Sequence, residues 1–102
     1  MLNRCIFTGR VTHDLELKTT SANDYVCNFS LAVQRNYKTD NDYITDFINF
    51  VAWRKNAEII ARHFKKGDMI CIEGSLIPRS YRDSNDNKRV LYEIVVDNFY
   101  FV

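Results

Sequence analysis

The chain has 102 residues, 46% hydrophobic and 26% charged, with a formal net charge of +1. That length holds one domain with one modest core, and the composition is that of an ordinary globular chain, which argues against disorder. A near-neutral total names no partner, because a nucleic-acid binder needs a local positive footprint rather than a basic sum. Such a footprint exists: Phe47 to Arg82 holds seven Lys/Arg against three acids. Aromatic residues make up 14%, and Tyr and Phe supply thirteen of the fourteen rings. A domain this small cannot bury them all, so some are expected on a working surface.

In chain order, Leu2 to Val11 alternates at strand period, with Cys5, Phe7, Gly9 and Val11 on one face. Gly9 inside a strand predicts a bend or close backbone approach. Leu15 to Lys18 reads as a short strand continuation, and Thr19 to Asp24 as turn material. Tyr25 to Arg35 is the clearest strand, with Cys27, Phe29, Leu31 and Val33 inward and Asn28, Ser30 and Gln34 outward. Asn36 to Thr45 is a polar loop carrying Tyr37 and Tyr43.

Asp46 to Trp53 is a third strand, apolar on both faces. Ile48, Phe50 and Ala52 suit a core, which leaves Phe47, Asn49, Val51 and Trp53 outward. A single helical stripe follows: Ala57, Ile60, Ala61 and Phe64, with Asn56 as N-cap and a stop at Gly67. Met69 to Ile77 and Arg89 to Val96 are two further strands, separated by a polar loop from Pro78 to Lys88. Three strands, a short helix, then two strands is the order of an all-β, five-stranded OB-fold Greek-key barrel. One such domain, residues 1–102, accounts for the whole chain, with one short α-helix between the third and fourth strands.

Rings on an outward strand face are costly as bare surface, and either a covering helix, loop or subunit, or a stacking ligand, resolves that cost. Base stacking contributes about 1–3 kcal/mol per base and tolerates any sequence. Tyr37 is flanked by Arg35 and Lys38, and Tyr81 by Arg79 and Arg82. Rings interleaved with cations suit a single strand of nucleic acid, with the ring for a base and the cation for the next phosphate. Asp40, Asp42 and Asp46 limit the first of these loops to its opening residues.

The three cysteines are widely spaced, without CxxC, and read as small strand or core residues of a reducing cytoplasm. His13 and His63 read as solvated or rim residues. No catalytic triad, carboxylate pair or metal pattern stands out, so an enzyme is not expected and no cofactor is implied. Neither a signal peptide nor a membrane-length apolar run is visible, which points to a cytoplasmic protein without membrane contact.

Four segments, LNRCIFTGRVTHDLEL, FSLAVQRNY, DFINFVAWRKNAEIIARHFKKGD and IEGSLIPRSYRD, resemble in order and spacing the single-stranded DNA-binding proteins of bacteria and their phages. The resemblance implies an OB-fold that assembles as a homotetramer and wraps single-stranded DNA with little sequence preference, in replication, recombination and repair. It places stacking positions on Tyr37, Phe47, Trp53 and Tyr81. Backbone contacts fall on or near Arg4, Arg35, Lys55, Lys66 and Arg79, with Asn49 as a polar contact. Lys38 joins them as the cation beside Tyr37.

Several rings that are often Trp in that family are Tyr or Phe here, which implies weaker stacking. SAND stands in the first turn where many members carry Gly. The chain ends at Val102, without the family's flexible linker and acidic tip, so recruitment of replication proteins through a tail is not expected of it. Strand period leaves dimer and tetramer open. The competing reading is an OB-fold protein-interaction module, such as a primosome accessory protein, whose outward rings bind protein.

Overall fold

Alternating burial builds the barrel strand by strand. The computed structural model describes residues Met1–Val102. It contains β1 (Cys5–Val11), β2 (Lys18–Thr19), β3 (Tyr25–Thr39), β4 (Asp42–Trp53), α1 (Arg54–His63), β5 (Met69–Arg82) and β6 (Lys88–Phe101). The strands run in the order β1-β5-β6-β4-β3-β2, and a β1–β3 pairing at Arg10↔Ala32 and Val11↔Leu31 closes the sheet on itself. β4 and β6 are parallel, at Phe50↔Ile94 and Val51↔Val95. The result is a closed barrel of five long strands with one short helix between β4 and β5, an OB-fold. The two-residue β2 pairs only with the start of β3. No helix is long and apolar enough to cross a membrane.

The inward set comes from each of the five long strands: Val11, Cys27, Phe29, Leu31, Phe50, Ala52, Ile70, Ile72, Ile94 and Val96. Phe50 lies at its centre, edge-on to Phe7 at 5.5 Å and stacked on Phe29 at 5.4 Å. The expected stripe of α1 packs on this core, with Ala57, Ile60 and Phe64 buried and Ala61 half-buried. Phe64 stacks on Phe101 at 4.8 Å and so ties the helix to the end of β6. Gly9 makes the close approach its sequence position suggests, since a Cβ there would lie 2.7 Å from the carbonyl oxygen of Ala32. Cys27 is buried in the core, which pushes its thiol pKa up, and all three cysteines are free.

Four local readings are corrected. The helix starts at Arg54 with Trp53 at the N-cap and no side-chain cap; Asn56 instead donates from Nδ2 to the carbonyl of Asp97. The chain turns from strand to helix through Arg54 itself, in the left-handed region at φ 55°. Leu15 to Leu17 is not a strand; only Lys18 and Thr19 pair there. The polar stretches Asn36–Thr45 and Pro78–Lys88 are largely strand. β3 and β4 continue as a ribbon to Thr39↔Asp42, turned by Asp40 and Asn41 at φ 50° and 70°. Positive φ at both central residues is the requirement of the two-residue hairpin turn that matches strand twist.

β5 and β6 likewise continue to Arg82↔Lys88, with Pro78 opposite Tyr92. Their turn is organised by Asp83, whose carboxylate accepts from the backbone N–H groups of Asn85 and Asn87 and from Arg89 Nε. Those bonds, the Asn87 N–H foremost and then Arg89, hold its pKa below the usual carboxylate range.

Candidate nucleic-acid interface

Residues opposite one another in an antiparallel pair share a face, so the register of β3 and β4 fixes what lies outward. The outward rows are Asn28↔Val51, Ser30↔Asn49, Ala32↔Phe47 and Gln34↔Thr45. Phe47 is 69% exposed and stands well clear of the sheet, while Trp53 at the end of the strand is 36% exposed. Val51, expected outward with them, is buried: β4 is flanked there on both sides, by Asn28 of β3 and Val95 of β6. The outward face of β4 is therefore two exposed rings separated by a filled step, not an unbroken apolar stripe.

The β5–β6 ribbon extends this face. Arg79 lies opposite Leu91, Tyr81 opposite Arg89, and Ile77 opposite Glu93. A groove of about 490 Å³ joins the two halves, lined by Asn28, Ser30, Asn49, Arg79, Leu91 and Glu93 among others. Asn49 and Arg79 are thus brought together, Phe47 lies two positions before Asn49 on the same side of β4, and Tyr81 follows Arg79 on the same side of the ribbon. Glu93, the one buried charged residue, sits in the groove floor and pairs with Arg79 at 2.5 Å. That pairing satisfies a buried carboxylate that would otherwise repel phosphate.

Tyr37 sits in the other ribbon, 56% exposed. Its hydroxyl accepts from Arg35 Nη1 at 2.9 Å, while Arg35 clamps Asp46 with Nε at 2.9 Å and Nη2 at 3.1 Å. The hydrogen bonds from Arg35 lower the Asp46 pKa, and Asp46 in turn raises that of Arg35. Arg35 is therefore committed to holding the Tyr37 hydroxyl in place. Lys38 covers the ring of Tyr43, with Nζ 4.9 Å from the centroid.

Arg4 stands apart. It precedes β1 and is ion-paired with Glu73, whose other oxygen accepts from Asn98 Nδ2. Those two donors, Asn98 first, lower the pKa of Glu73. Lys55 is exposed in the first turn of α1 just after Trp53, and Lys66 is exposed in the turn after the helix. Ion pairing divides the cations cleanly: seven arginines hold a carboxylate, whereas Lys38, Lys55, Lys66 and the other lysines hold none. The charge free to meet phosphate is thus largely lysine. Sequence reading missed Asn28, Ser30 and Glu93 as groove residues; the polar alternation of β3 points to the first two, while Glu93 is placed only by the barrel.

Comparison with known proteins gives a family match and several relatives. Residues 2–102 match the Single-strand binding protein family. The chain is 41% identical over 100 residues to a single-stranded DNA-binding protein of Streptococcus mutans, covering 97% of this chain and 61% of the relative. It is 42% identical over 103 residues to one of Caldanaerobacter subterraneus, covering 100% and 69%. Single-stranded DNA-binding protein 3 of Streptococcus agalactiae is 40% identical over 100 residues, covering 97% and 72%. The chain thus spans between 61% and 72% of the length of these relatives.

Proposed function

The chain belongs to the single-strand binding protein family, and from that membership we propose that it binds single-stranded DNA with little sequence preference and without catalysis. The observation that carries the reading is the exposed Phe47 ring on a face shared with Asn49, Trp53 and the Arg79–Tyr81 arm of the ribbon. Bases stack on Phe47, Trp53, Tyr81 and Tyr37, and the unpaired Lys38, Lys55 and Lys66 meet the backbone. Asn49 and Arg79 meet the polar parts of the strand across the groove. Arg35 serves Tyr37 rather than phosphate, and Arg4 adds charge at a distance from the rings. Polar grooves beside rings favour a nucleic acid over a purely protein partner, which would need a drier centre.

Coating and protection of single strands in replication, recombination and repair, in the bacterial cytoplasm or that of a phage host, is the corresponding role. Self-association, as a homotetramer, accompanies it. Ile6 on the outer side of β1 and Tyr100 and Phe101 at the end of β6 are 63%, 51% and 66% exposed, apolar area that a second copy would cover.

Anisotropy of a labelled oligo(dT) at rising salt tests the binding. Single-strand binding loses about 0.7 in log–log slope per neutralised phosphate, so three free lysines give roughly a 20-fold fall between 50 and 200 mM salt. Oligo(dA) and oligo(dC) of equal length bind within about tenfold of it. No binding at low salt overturns the reading.

A further inference from the structure

The groove beside Asn49 is matched by a second one on the other side of Phe47. Thr45 and Asn49 flank Phe47 on the outward side of β4; Asn49 lines the first groove, and Thr45 lines another of about 600 Å³. Thr8 and Arg10 of β1, Gln34 and Arg35 of β3, and Tyr43 of β4 share its lining. We propose that this groove is an additional nucleotide subsite of the DNA path, taking a backbone phosphate on Arg10 and the adjoining base against Tyr43. The proposal rests on the single-stranded DNA reading above and extends its path from Phe47 onto β1.

Register carries the first part of the argument. Arg10 pairs with Ala32, and Ala32 pairs with Phe47, so the three lie in one row across the sheet. At about 4.8 Å between neighbouring strands, the Arg10 and Phe47 backbones are about 10 Å apart. Adjoining nucleotides of an extended strand bridge such a gap. The residue between them is alanine, too short to wall the ring off from the guanidinium.

Charge carries the second part. Arg10 is the one arginine of the chain without a carboxylate partner. Its Nη1 donates to the carbonyl of Gly67 at 3.1 Å, which orients the guanidinium and leaves its remaining N–H groups for an anion. The turn that carries Gly67 is fastened to β1, with Gly67 N–H donating to the Val11 carbonyl at 2.8 Å and Val11 N–H to that of Asp68 at 2.9 Å. That fastening brings the segment of Lys65 and Lys66 alongside Arg10. The Asp68 carboxylate is engaged by the Lys65 N–H at 3.0 Å. The other groove arginine, Arg35, is neutralised by Asp46, so Arg10 is the phosphate partner of choice.

Tyr43 supplies the ring. It is 50% exposed, with Lys38 over one side of the ring and the groove on its flank. A base against the open side leaves a cation–ring–base sandwich.

The test uses the full chain and labelled oligo(dT). Arg10→Ala reduces the magnitude of the log–log salt slope by about 0.7, and Arg10→Lys keeps it. Tyr43→Ala weakens binding about fivefold or more. Ultraviolet cross-linking of the unaltered protein, mapped by mass spectrometry, yields a thymidine adduct on Tyr43, a result independent of how any variant folds. An Arg10→Ala slope equal to that of the parent, or adducts elsewhere but none on Tyr43, overturns the subsite. If those variants behave like the parent while Phe47→Ala still weakens binding, only the subsite falls. A parent chain that does not bind oligo(dT) overturns the DNA reading itself.

Discussion

Replacing Phe47 and Trp53 together with alanine lowers the affinity for oligo(dT) by at least about 30-fold, with the fold intact. Each ring contributes about 1–3 kcal/mol of stacking, and every 1.4 kcal/mol is tenfold in affinity. The two residues are six positions apart on one strand, roughly 20 Å at about 3.3 Å per residue. They therefore meet different nucleotides, and their effects add. Exposure of 69% for Phe47 means its truncation removes little buried surface. Trp53 is more enclosed at 36%, so its own truncation lowers stability modestly. Titration of each single variant and the double, beside thermal melts followed by circular dichroism, separates the two effects.

Phe50→Ala has the opposite profile: unfolding free energy falls by about 3–5 kcal/mol, and at temperatures where the chain stays folded DNA affinity changes little. Phe50 is one strand position from Asn49 but faces the other way, and it is 1% exposed. Its ring fills the space between Phe7 and Phe29, and its backbone pairs with Phe29 of β3 and Ile94 of β6. Truncation leaves a cavity that a closed barrel cannot collapse around, which places the loss in the range of other buried aromatic-to-alanine changes. For a domain of about 100 residues this amounts to a fall in Tm of at least about 12 °C. The Phe47 and Phe50 variants together test whether the two faces of β4 divide binding from stability.

That division was legible in the sequence because Asp46–Trp53 is apolar on both faces, a pattern that plain surface strands do not show. The core residues of β3, the stripe of α1 and the tight approach at Gly9 were legible for the same reason: burial imposes a period. Where burial stops, the period stops. Both ribbons beyond the barrel are solvated on two faces, so Asn36–Thr45 and Pro78–Lys88 are mostly polar with no apolar alternation and read as loops although they pair as strands. The left-handed Asp40–Asn41 pair was the one local trace of the hairpin. The Asn56 cap failed because the chain enters the helix directly from the last residue of β4, leaving no room for a capping turn.

At the site, the rings were visible as residue types in unusual places, but the partners of the cations were not. Asp46 reaches Arg35 from the neighbouring strand, and Glu93 reaches Arg79 across the ribbon. Such pairings depend on register, which a single sequence does not specify. They shift the phosphate-binding role from the arginines toward the lysines and Arg10. Val51 went astray similarly, since only the docking of β6 beside β4 reveals that this outward position is covered.

Trp53 is the only tryptophan, so its emission reports from one known place on the proposed face. The most direct measurement is a titration of the unaltered protein with oligo(dT), following that emission and the anisotropy of the labelled DNA in the same samples. Quenching that saturates in step with the anisotropy, and that reverses as salt is added, is the result stacking on this face predicts. DNA binding that saturates while Trp53 emission stays unchanged would contradict it.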